Sequence, residues 1–263
     1  VSAFLLNRSS DLISQEVSQQ IEDARMSVAK LIKAEPEQIM FTAGATEGLN
    51  IIADWYKDVP YVIITEAEHT ANILPWIAQG RTQENGRLIV LPVTDRGTIN
   101  TEEACKILEA HPGGLLSIHS HSNVTGIPTN YKKLTKAAHD NGTKVVIDGC
   151  QTIGTHEFLK GTIDHAVFSG HKMYGPTGIG FMYSRLPLER MRAVRQGGGS
   201  VTHYDFNGNI EFYQGPAKHE VGTPNIAGIL GLGVAAEWIN FIGYDKIMMI
   251  QGSGNVTPGG HGK

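Results

Sequence analysis

Short apolar runs alternate along this chain with segments in which apolar residues recur every three or four positions. Short apolar runs are typical of buried strands, and the longer spacing is typical of helices that cover a sheet. Polar and glycine-rich turns follow the ends of several runs. Strands and helices that alternate in this way build a mainly parallel sheet. We therefore predict an α/β fold of three α/β/α layers, with a functional site along the carboxyl edge of the sheet.

The predicted elements span most of the chain. The predicted strands are Gln38–Thr42, Tyr61–Thr65, Arg87–Pro92, Leu115–His119, Lys144–Ile147, a short run before Ser169, and Ile179–Tyr183, which turns back. The predicted helices are Ser14–Ala34, one that begins near Thr46, Thr101–Ala110, Tyr131–Asn141, Leu188–Arg195 and Ile226–Ile242, and Gly197–Gly199 predict a mobile loop. We predict one large domain over residues 1–250. Because five of the last 13 residues are glycine, we predict a disordered tail over 251–263.

The composition of the chain argues against several classes of protein. Its 22 basic and 26 acidic residues give a net charge of -4 without a long basic run, so nothing indicates binding to nucleic acid or to an anionic membrane surface. We expect neither a membrane-spanning helix nor a secretory signal. Cys105 and Cys150 lack the spacing of a disulfide framework or a zinc site, so we expect no bound metal and a cytoplasmic location.

A lysine and an aspartate at two predicted strand ends indicate the chemistry. Lys172 lies in SGHKMYG directly after an apolar run. There it can be held partly desolvated, which lowers the pKa of a lysine and frees its amine to form a Schiff base with an aldehyde. Asp148 ends the run VVID, where its carboxylate can pair with a pyridinium nitrogen. A lone surface lysine would be ordinary, but Lys172 together with Asp148 is the minimal equipment for holding pyridoxal phosphate.

Two further candidates follow other strand ends and have ordinary alternatives. Thr46 lies where a predicted strand turns through glycine into a helix, a position that can bind a phosphate, but it can equally cap the helix. His69 follows the strand Tyr61–Thr65, where an imidazole can stack on an aromatic ring or move protons, although most of the 11 histidines must be structural. We predict that Cys105 is buried and inert, and that Cys150 is a packing residue without a basic neighbour.

Six motifs extend these observations to most of the chain, from Ser14 to Ile247. They are FTAGATEGLN, EAEHTANILPW, HSNVTGIPTN, VVIDGCQ, SGHKMYGPTGIG and HEVGTPNIAGILGLG. In content and order they resemble the cysteine desulfurase and selenocysteine lyase family of class V aminotransferase-like enzymes. The resemblance implies the large domain of fold type I, pyridoxal 5'-phosphate as the cofactor, and a cysteine-like amino acid as the substrate.

The resemblance also implies roles for individual residues. Lys172 would carry the cofactor as an aldimine and move the substrate proton, Asp148 would keep the ring nitrogen protonated, and His69 would stack on the ring. The remaining implied cofactor contacts are Thr46, Ser169 and His171 at the phosphate, Asn123 and Gln151 near the ring oxygen, and Thr223, which would reach the phosphate of the neighbouring subunit. A homodimer with shared active sites and a sulfur-acceptor protein are the partners that follow.

The ends of the chain depart from the family pattern. The family's opening strand with its Asp-Asn-Ala-Ala motif has no match before Val1, and the glycine-rich tail stands where a small C-terminal domain is expected. In the family that domain carries the sulfur-accepting cysteine and the arginine that binds the substrate carboxylate. We therefore expect a truncated chain. Three activities stay open: cleavage of a carbon–sulfur or carbon–selenium bond with transfer of the sulfur or selenium, carbon–sulfur β-elimination or amino-group transfer by the same fold, and non-catalytic binding of the cofactor.

Overall fold

The computed structural model describes residues 12–158 and 160–253. The strands are β1 (Ile39–Thr42), β2 (Val62–Thr65), β3 (Leu88–Leu91), β4 (Leu115–His119), β5 (Lys144–Asp148), β6 (His165–Ser169), β7 (Gly180–Ser184), β8 (Val201–Tyr204) and β9 (Ile210–Phe212). The α-helices are α1 (Leu12–Leu31), α2 (Ala45–Trp55), α3 (Leu74–Ala78), α4 (Thr101–Ala110), α5 (Tyr131–Asp140), α6 (Ile226–Ile242) and α7 (Tyr244–Ser253). Short 3-10 turns connect several of these elements.

A seven-stranded mixed sheet forms the centre of the fold, in the order β1-β7-β6-β5-β4-β2-β3. The strands from β2 to β6 pair in parallel, whereas β7 runs antiparallel to both of its neighbours, β1 and β6. The predicted mainly parallel sheet and its reversed strand are therefore confirmed. Since parallel strands need crossover connections, the helices α3, α4 and α5 follow β2, β3 and β4 in the chain.

Alternating side chains on the strands supply two separate hydrophobic cores. On β5, Val145 and Ile147 pack in the core that also contains apolar side chains from α1, α4, α5 and α6. Val146 between them packs in the other core, with residues from α2 and with Trp76 of α3. A sheet covered on both faces in this way is the predicted three-layer α/β/α arrangement.

Two predicted helices differ in the structure. Helix α1 ends at Leu31, three residues before its predicted end, because Lys33 adopts a left-handed conformation with φ of 57° and the Ala34 N–H closes back on the Ala29 carbonyl. The predicted helix Leu188–Arg195 is wrong. Only the three-residue 3-10 turn Leu188–Arg190 forms, and the backbone is already extended at Met191.

The hairpin β8–β9 was not predicted from the sequence. Its strands are short and mostly exposed, so they lack the apolar alternation that reveals a strand. The predicted loop Gly197–Gly199 leads directly into it. At the other end of the described chain α7 runs to Ser253, three residues past the predicted domain end, and the rest of the predicted tail lies outside the described residues.

Helix α6 is apolar on nearly all of its surface. One side packs on α1 through residues such as Leu232 and Ala236, while Val234, Trp238 and Phe241 on the other side are exposed. Within residues 12–158 and 160–253, no single helix is long and apolar enough to cross a membrane. Helices α6 and α7, which meet at a bend of 88°, reach that length and composition only as a pair.

Asp164 organises the amino edge of the sheet, where it directly precedes β6. Its fully buried carboxylate accepts hydrogen bonds from His139 Nε2 at 2.8 Å, the Val145 N–H at 2.9 Å, Lys144 Nζ at 3.4 Å and Arg185 Nη2 at 2.5 Å. Burial alone would raise the pKa of Asp164, but these hydrogen bonds and positive charges lower the pKa below its ordinary value. The carboxylate therefore joins α5, β5 and the end of β7 in its ionised form.

We expect the substitution Asp164→Asn to lower the free energy of unfolding by about 2 to 4 kcal/mol at neutral pH, because it leaves buried donors without their charged acceptor. The folded pKa lies below the unfolded value of about 3.9, so this stabilisation is present above that pH and is lost as the pH falls through the folded pKa. Urea unfolding of both proteins at pH 7 and near pH 3 measures the difference.

The exposed pair Asp140–Lys136 on α5 provides a matched control. Asp140→Asn removes a carboxylate from the same helix, but the change should be within about 1 kcal/mol because both partners are hydrated. Equal effects of the two substitutions, or an Asp164→Asn effect that grows in acid, would contradict the role given to Asp164.

Candidate active site

Side chains from several strand ends meet in one cavity of about 240 Å³ at the carboxyl edge of the sheet. Asp148 of β5, His119 of β4 and Ser169 of β6 all follow a residue of the α1-side core, so the alternation of the strands turns them towards the α2 side. The residues that line the cavity are Ala45, Thr46, His69, Ala71, His119, His121, Asn123, Asp148, Cys150, Gln151, Ser169, His171 and Lys172. Eight of the nine predicted site residues are in this set.

Lys172 ends the 3-10 turn Gly170–Lys172, which directly follows β6. The absence of a side chain at Gly154 allows this turn to come close, since a Cβ there would lie 2.2 Å from the Lys172 carbonyl oxygen. Lys172 itself is exposed at the cavity, and no hydrogen bond or ion pair to its amine is found within the described residues. The expected partial desolvation is therefore absent in this chain. A short turn at the rim of a cavity leaves its last side chain in contact with water.

Asp148 is the buried acid of the cavity. Its Oδ1 accepts a hydrogen bond from the Cys150 N–H at 3.0 Å. Burial raises the pKa of Asp148 above its ordinary value, and the nearby carboxylate of Glu68 adds to that increase, whereas Cys150 and His69 oppose it. A positively charged partner inside the cavity would favour the ionised form of this carboxylate.

Cys150 is fixed between Asp148 and Ser169. Its Sγ lies 3.7 Å from Ser169 Oγ, and the thiol also contacts the Asp148 carboxylate. Burial and the charge of Asp148 raise the pKa of the Cys150 thiol well above its ordinary value. A thiol held in its protonated form is a poor nucleophile, which agrees with the prediction that Cys150 is a packing residue. Cys105 on α4 is also a free thiol, half-buried, with a pKa raised by burial.

The amino end of α2 faces the same cavity. Gly44 precedes the helix, and the Ala45 N–H donates to Ser169 Oγ at 3.1 Å. Thr46 follows in the first turn with an exposed side chain, while no side chain caps the helix. The alternative in which Thr46 merely caps the helix is therefore not observed. Unpaired N–H groups at a helix start, next to a serine and His171, form a typical environment for an anion.

His69 lies in the turn that follows β2, and it caps the 3-10 turn Thr70–Asn72. Its Nδ1 accepts from the Ala71 N–H at 3.1 Å, so the other ring nitrogen, Nε2, carries the proton in the neutral ring. The side chain is exposed, and it lines the cavity together with Asn123 and Gln151. The structure therefore brings these three predicted residues together.

The sequence did not identify His119 and His121 as cavity residues. His119 was hidden at the end of an apolar run, and His121 lies in a loop next to it. His121 Nδ1 is 2.7 Å from Thr152 Oγ1, and its ring stacks on His156 at 4.9 Å. Burial, together with the His156 and His119 rings, lowers the pKa of His121. Only the strand-end position, the rule that selected Asp148, could have indicated His119.

Thr223 does not line the cavity of Lys172. It is exposed, and it lines a different cavity that also contains Glu47, Arg195 and Glu220. The single chain therefore does not bring Thr223 together with the other predicted residues.

The residues of the cavity fit pyridoxal 5'-phosphate in their chemistry. Lys172 offers an amine for an aldehyde, and Asp148 offers a buried acceptor for a ring N–H. The start of α2 offers N–H donors for a phosphate next to Ser169. These three features match the three polar parts of the cofactor, which are its aldehyde, its ring nitrogen and its phosphate.

Sequence comparisons identify related proteins over nearly the whole chain. The chain is 33% identical to a cysteine desulfurase from Enterobacter sp. (strain 638), over 94% of this chain and 63% of the relative. It is 35% identical to a cysteine desulfurase from Serratia proteamaculans (strain 568), over 92% of this chain and 61% of the relative. The chain thus spans about three fifths of the length of these curated relatives.

Solved structures give the same result for the fold. A cysteine desulfurase from Thermococcus onnurineus NA1 matches with a TM-score of 0.82 and 30% identity, over 90% of this chain and 60% of the other. A variant of C-DES with glycine covalently linked to its PLP cofactor matches with a TM-score of 0.76 and 21% identity, over 93% of this chain and 68% of the other. The predicted large-domain architecture of fold type I is confirmed. Residues 4–253 match the family described as Aminotransferase class-V, and the chain therefore belongs to the class-V aminotransferase family.

Proposed function

We propose that this chain binds pyridoxal 5'-phosphate through Lys172 and acts on the carbon–sulfur bond of a cysteine-like amino acid. The observation that carries the proposal is that one cavity is lined by the buried carboxylate of Asp148 and by the amine of Lys172, which has no partner among residues 12–158 and 160–253. The similarity to cysteine desulfurases supports the choice of substrate. The desulfurases are longer than this chain, so activity, substrate and sulfur acceptor all belong to the proposal.

Different polar groups of the cavity would contact different parts of the cofactor. Thr46, Ser169 and His171 would hold the phosphate at the start of α2, where N–H groups favour an anion. Asn123 and Gln151 would donate to the ring oxygen. Their position on the cavity wall supports this assignment. His69 would lie against the ring, because the Ala71 N–H holds its Nδ1 and its exposed side chain lines the cavity.

Two groups would handle charge and protons. The bound cofactor supplies an electron sink for the carbon atom next to the amino group. Asp148 would hold a proton on the ring nitrogen, since a buried carboxylate is stabilised by a cation beside it. The amine of Lys172 would first bind the aldehyde and then, once released, move the substrate's α proton.

A second activity, β-elimination by the same cavity, is supported by the state of Cys150. Sulfur transfer to the enzyme needs a thiolate, and the pKa of this cysteine is raised well above its ordinary value. Elimination needs no such nucleophile. The products separate the two activities, since desulfuration of cysteine leaves alanine and a persulfide, whereas elimination leaves pyruvate.

We expect Lys172→Ala to abolish covalent attachment of pyridoxal phosphate. The protein is incubated with the cofactor, reduced with borohydride and weighed by intact mass spectrometry. Wild type should gain one reduced cofactor, and the variant should gain none, because no other amine lines the cavity in the part of the chain that is described. Lys136→Ala, an exposed lysine on α5, should behave like wild type. Attachment of the cofactor to a different lysine in Lys172→Ala would contradict the assignment.

We expect Asp148→Asn to retain much of the cofactor but to slow exchange of the substrate's α proton by about 100-fold or more, because a neutral partner cannot favour a protonated ring. Deuterium uptake into cysteine measures this exchange without depending on which product forms. Asp140→Asn, on the surface of α5, is the control. Exchange at the wild-type rate in Asp148→Asn would be incompatible with the proposed role.

We further propose that two copies of the chain share their sites, with Thr223 of one copy at the phosphate of the other. The separation of Thr223 from the Lys172 cavity within one chain supports this arrangement. Mixing Lys172→Ala with Thr223→Ala should then restore intact sites, because each mixed pair contains one site with both native residues. Half of the pairs in a random 1:1 mixture are mixed, so borohydride attachment at low cofactor concentration should rise towards about a quarter of the wild-type level. If mixing has no effect although sedimentation detects mixed pairs, shared sites are wrong.

A further inference from the structure

Glu68 is a buried carboxylate beside the cavity that no step of the proposed chemistry uses. Its side chain is fully buried. Its oxygens accept hydrogen bonds from Thr65 Oγ1 at 2.7 Å, Asn72 Nδ2 at 2.8 Å and His119 Nδ1 at 2.8 Å. Burying a carboxylate is costly unless such partners satisfy it, so a polar group at this position needs an explanation.

The other buried carboxylate with several partners, Asp164, has a structural explanation that does not extend to Glu68. Asp164 lies at the amino edge of the sheet and binds His139, Lys144 and Arg185, which join separate elements. Glu68 lies at the carboxyl edge, and within the described residues its titratable hydrogen-bond partner is His119 alone. The pair joins the turn after β2 to β4, and it also places one imidazole at the cavity.

His119 has one ring nitrogen left for the cavity. The Glu68 carboxylate can only accept a hydrogen bond, so His119 Nδ1 is the donor. Nε2 is the ring nitrogen that this bond leaves free. Nε2 has no hydrogen-bond partner within the described residues, and His119 lines the cavity. The strand register pairs His119 directly with Asp148, and the His119 ring is close enough to His121 to help lower the pKa of that residue. The free nitrogen is thus next to the acid proposed for the cofactor ring.

We propose that His119 is a second histidine of the cofactor site, whose Nε2 contacts the ring bound beside Asp148. Glu68 is its positioning residue, because it fixes the ring orientation and keeps the proton on Nδ1. This inference rests on the proposed function, since it requires an aromatic ligand in the cavity. It adds a contact that none of the six motifs indicated.

A purely structural role for the same network would have different consequences. Asn72 accepts from Ser117 Oγ at 2.5 Å and donates to Glu68, so these residues also tie the turn that carries His69 to β4. In a purely structural role only the hydrogen bond from His119 Nδ1 to Glu68 would affect the protein, and Nε2 would have no effect on ligand binding. In the proposed role Nε2 contributes to ligand binding as well.

The substitution His119→Asn separates the two roles. An asparagine amide can donate to Glu68 from nearly the position of Nδ1, but it has no atom at the position of Nε2. The probe is pyridoxine 5'-phosphate, which lacks the aldehyde and therefore cannot bond to Lys172. Nε2 is an acceptor, and the probe carries two hydroxyl groups that can donate to it, so we expect the affinity to fall about tenfold in His119→Asn, as for one lost hydrogen bond in a buried site. His139→Gln, which keeps a donor to Asp164 at the opposite edge, should bind the probe like wild type.

Nitrogen-15 NMR of the histidine rings supplies a readout that does not depend on a variant folding. In the wild-type protein His119 should carry its proton on Nδ1, and its Nε2 resonance should move when pyridoxine 5'-phosphate is added. In Glu68→Gln the preference for the Nδ1–H form should weaken, and the affinity for the probe should fall with it. A structural role predicts no movement of the Nε2 resonance.

The outcomes separate this inference from the proposed function. If wild type binds the probe and traps pyridoxal phosphate at Lys172, but His119→Asn binds the probe equally tightly or Nε2 does not respond, then only the role of His119 is wrong. If wild type neither binds the probe nor traps the cofactor, both proposals are wrong. A weakened His119→Asn with an unchanged His139→Gln supports the inference.

Discussion

The pairing register of β5 with its two parallel neighbours is the constraint on which the site depends. It sets His119 opposite Asp148 on one side and Val167, two residues before Ser169, on the other. Successive side chains on a strand point to opposite faces, so a shift of one residue would turn Asp148 towards α1. The apolar residues before Asp148 prevent that shift, because each is buried on its own face. Ordinary core packing therefore fixes the positions of the polar side chains.

The two edges of the sheet use buried charge in opposite ways. At the amino edge several cations and an N–H group saturate Asp164, and nothing is left over for a ligand. At the carboxyl edge Asp148 keeps acceptor capacity, and the amine of Lys172 and the Nε2 of His119 lack partners within the described chain. The buried carboxylate at one edge is thus satisfied within the protein, whereas the other edge holds polar groups that a ligand could bind.

Much of this arrangement could be predicted from the sequence, because buried parallel strands leave a strong pattern. The apolar runs indicated the main strands within one or two residues, and the residues after them, such as Asp148, lie in the cavity. The exposed hairpin β8–β9 leaves no such pattern, and local propensity suggested a helix after Leu188 where only a turn forms. The burial of Lys172 was misjudged, since burial depends on how a turn sits against its surroundings. The pairing of Glu68 with His119 joins residues 51 positions apart, which no local pattern reports.

The close approach of Gly154 to the Lys172 turn affects how mutational data on this family should be interpreted. A side chain there would collide with backbone, which cannot move aside as a flexible side chain could. In a saturation library nearly every replacement at this position should be poorly tolerated. Gly154 nevertheless offers no functional group to a ligand. Intolerance to substitution at this position would thus report lack of space and not contact with a ligand.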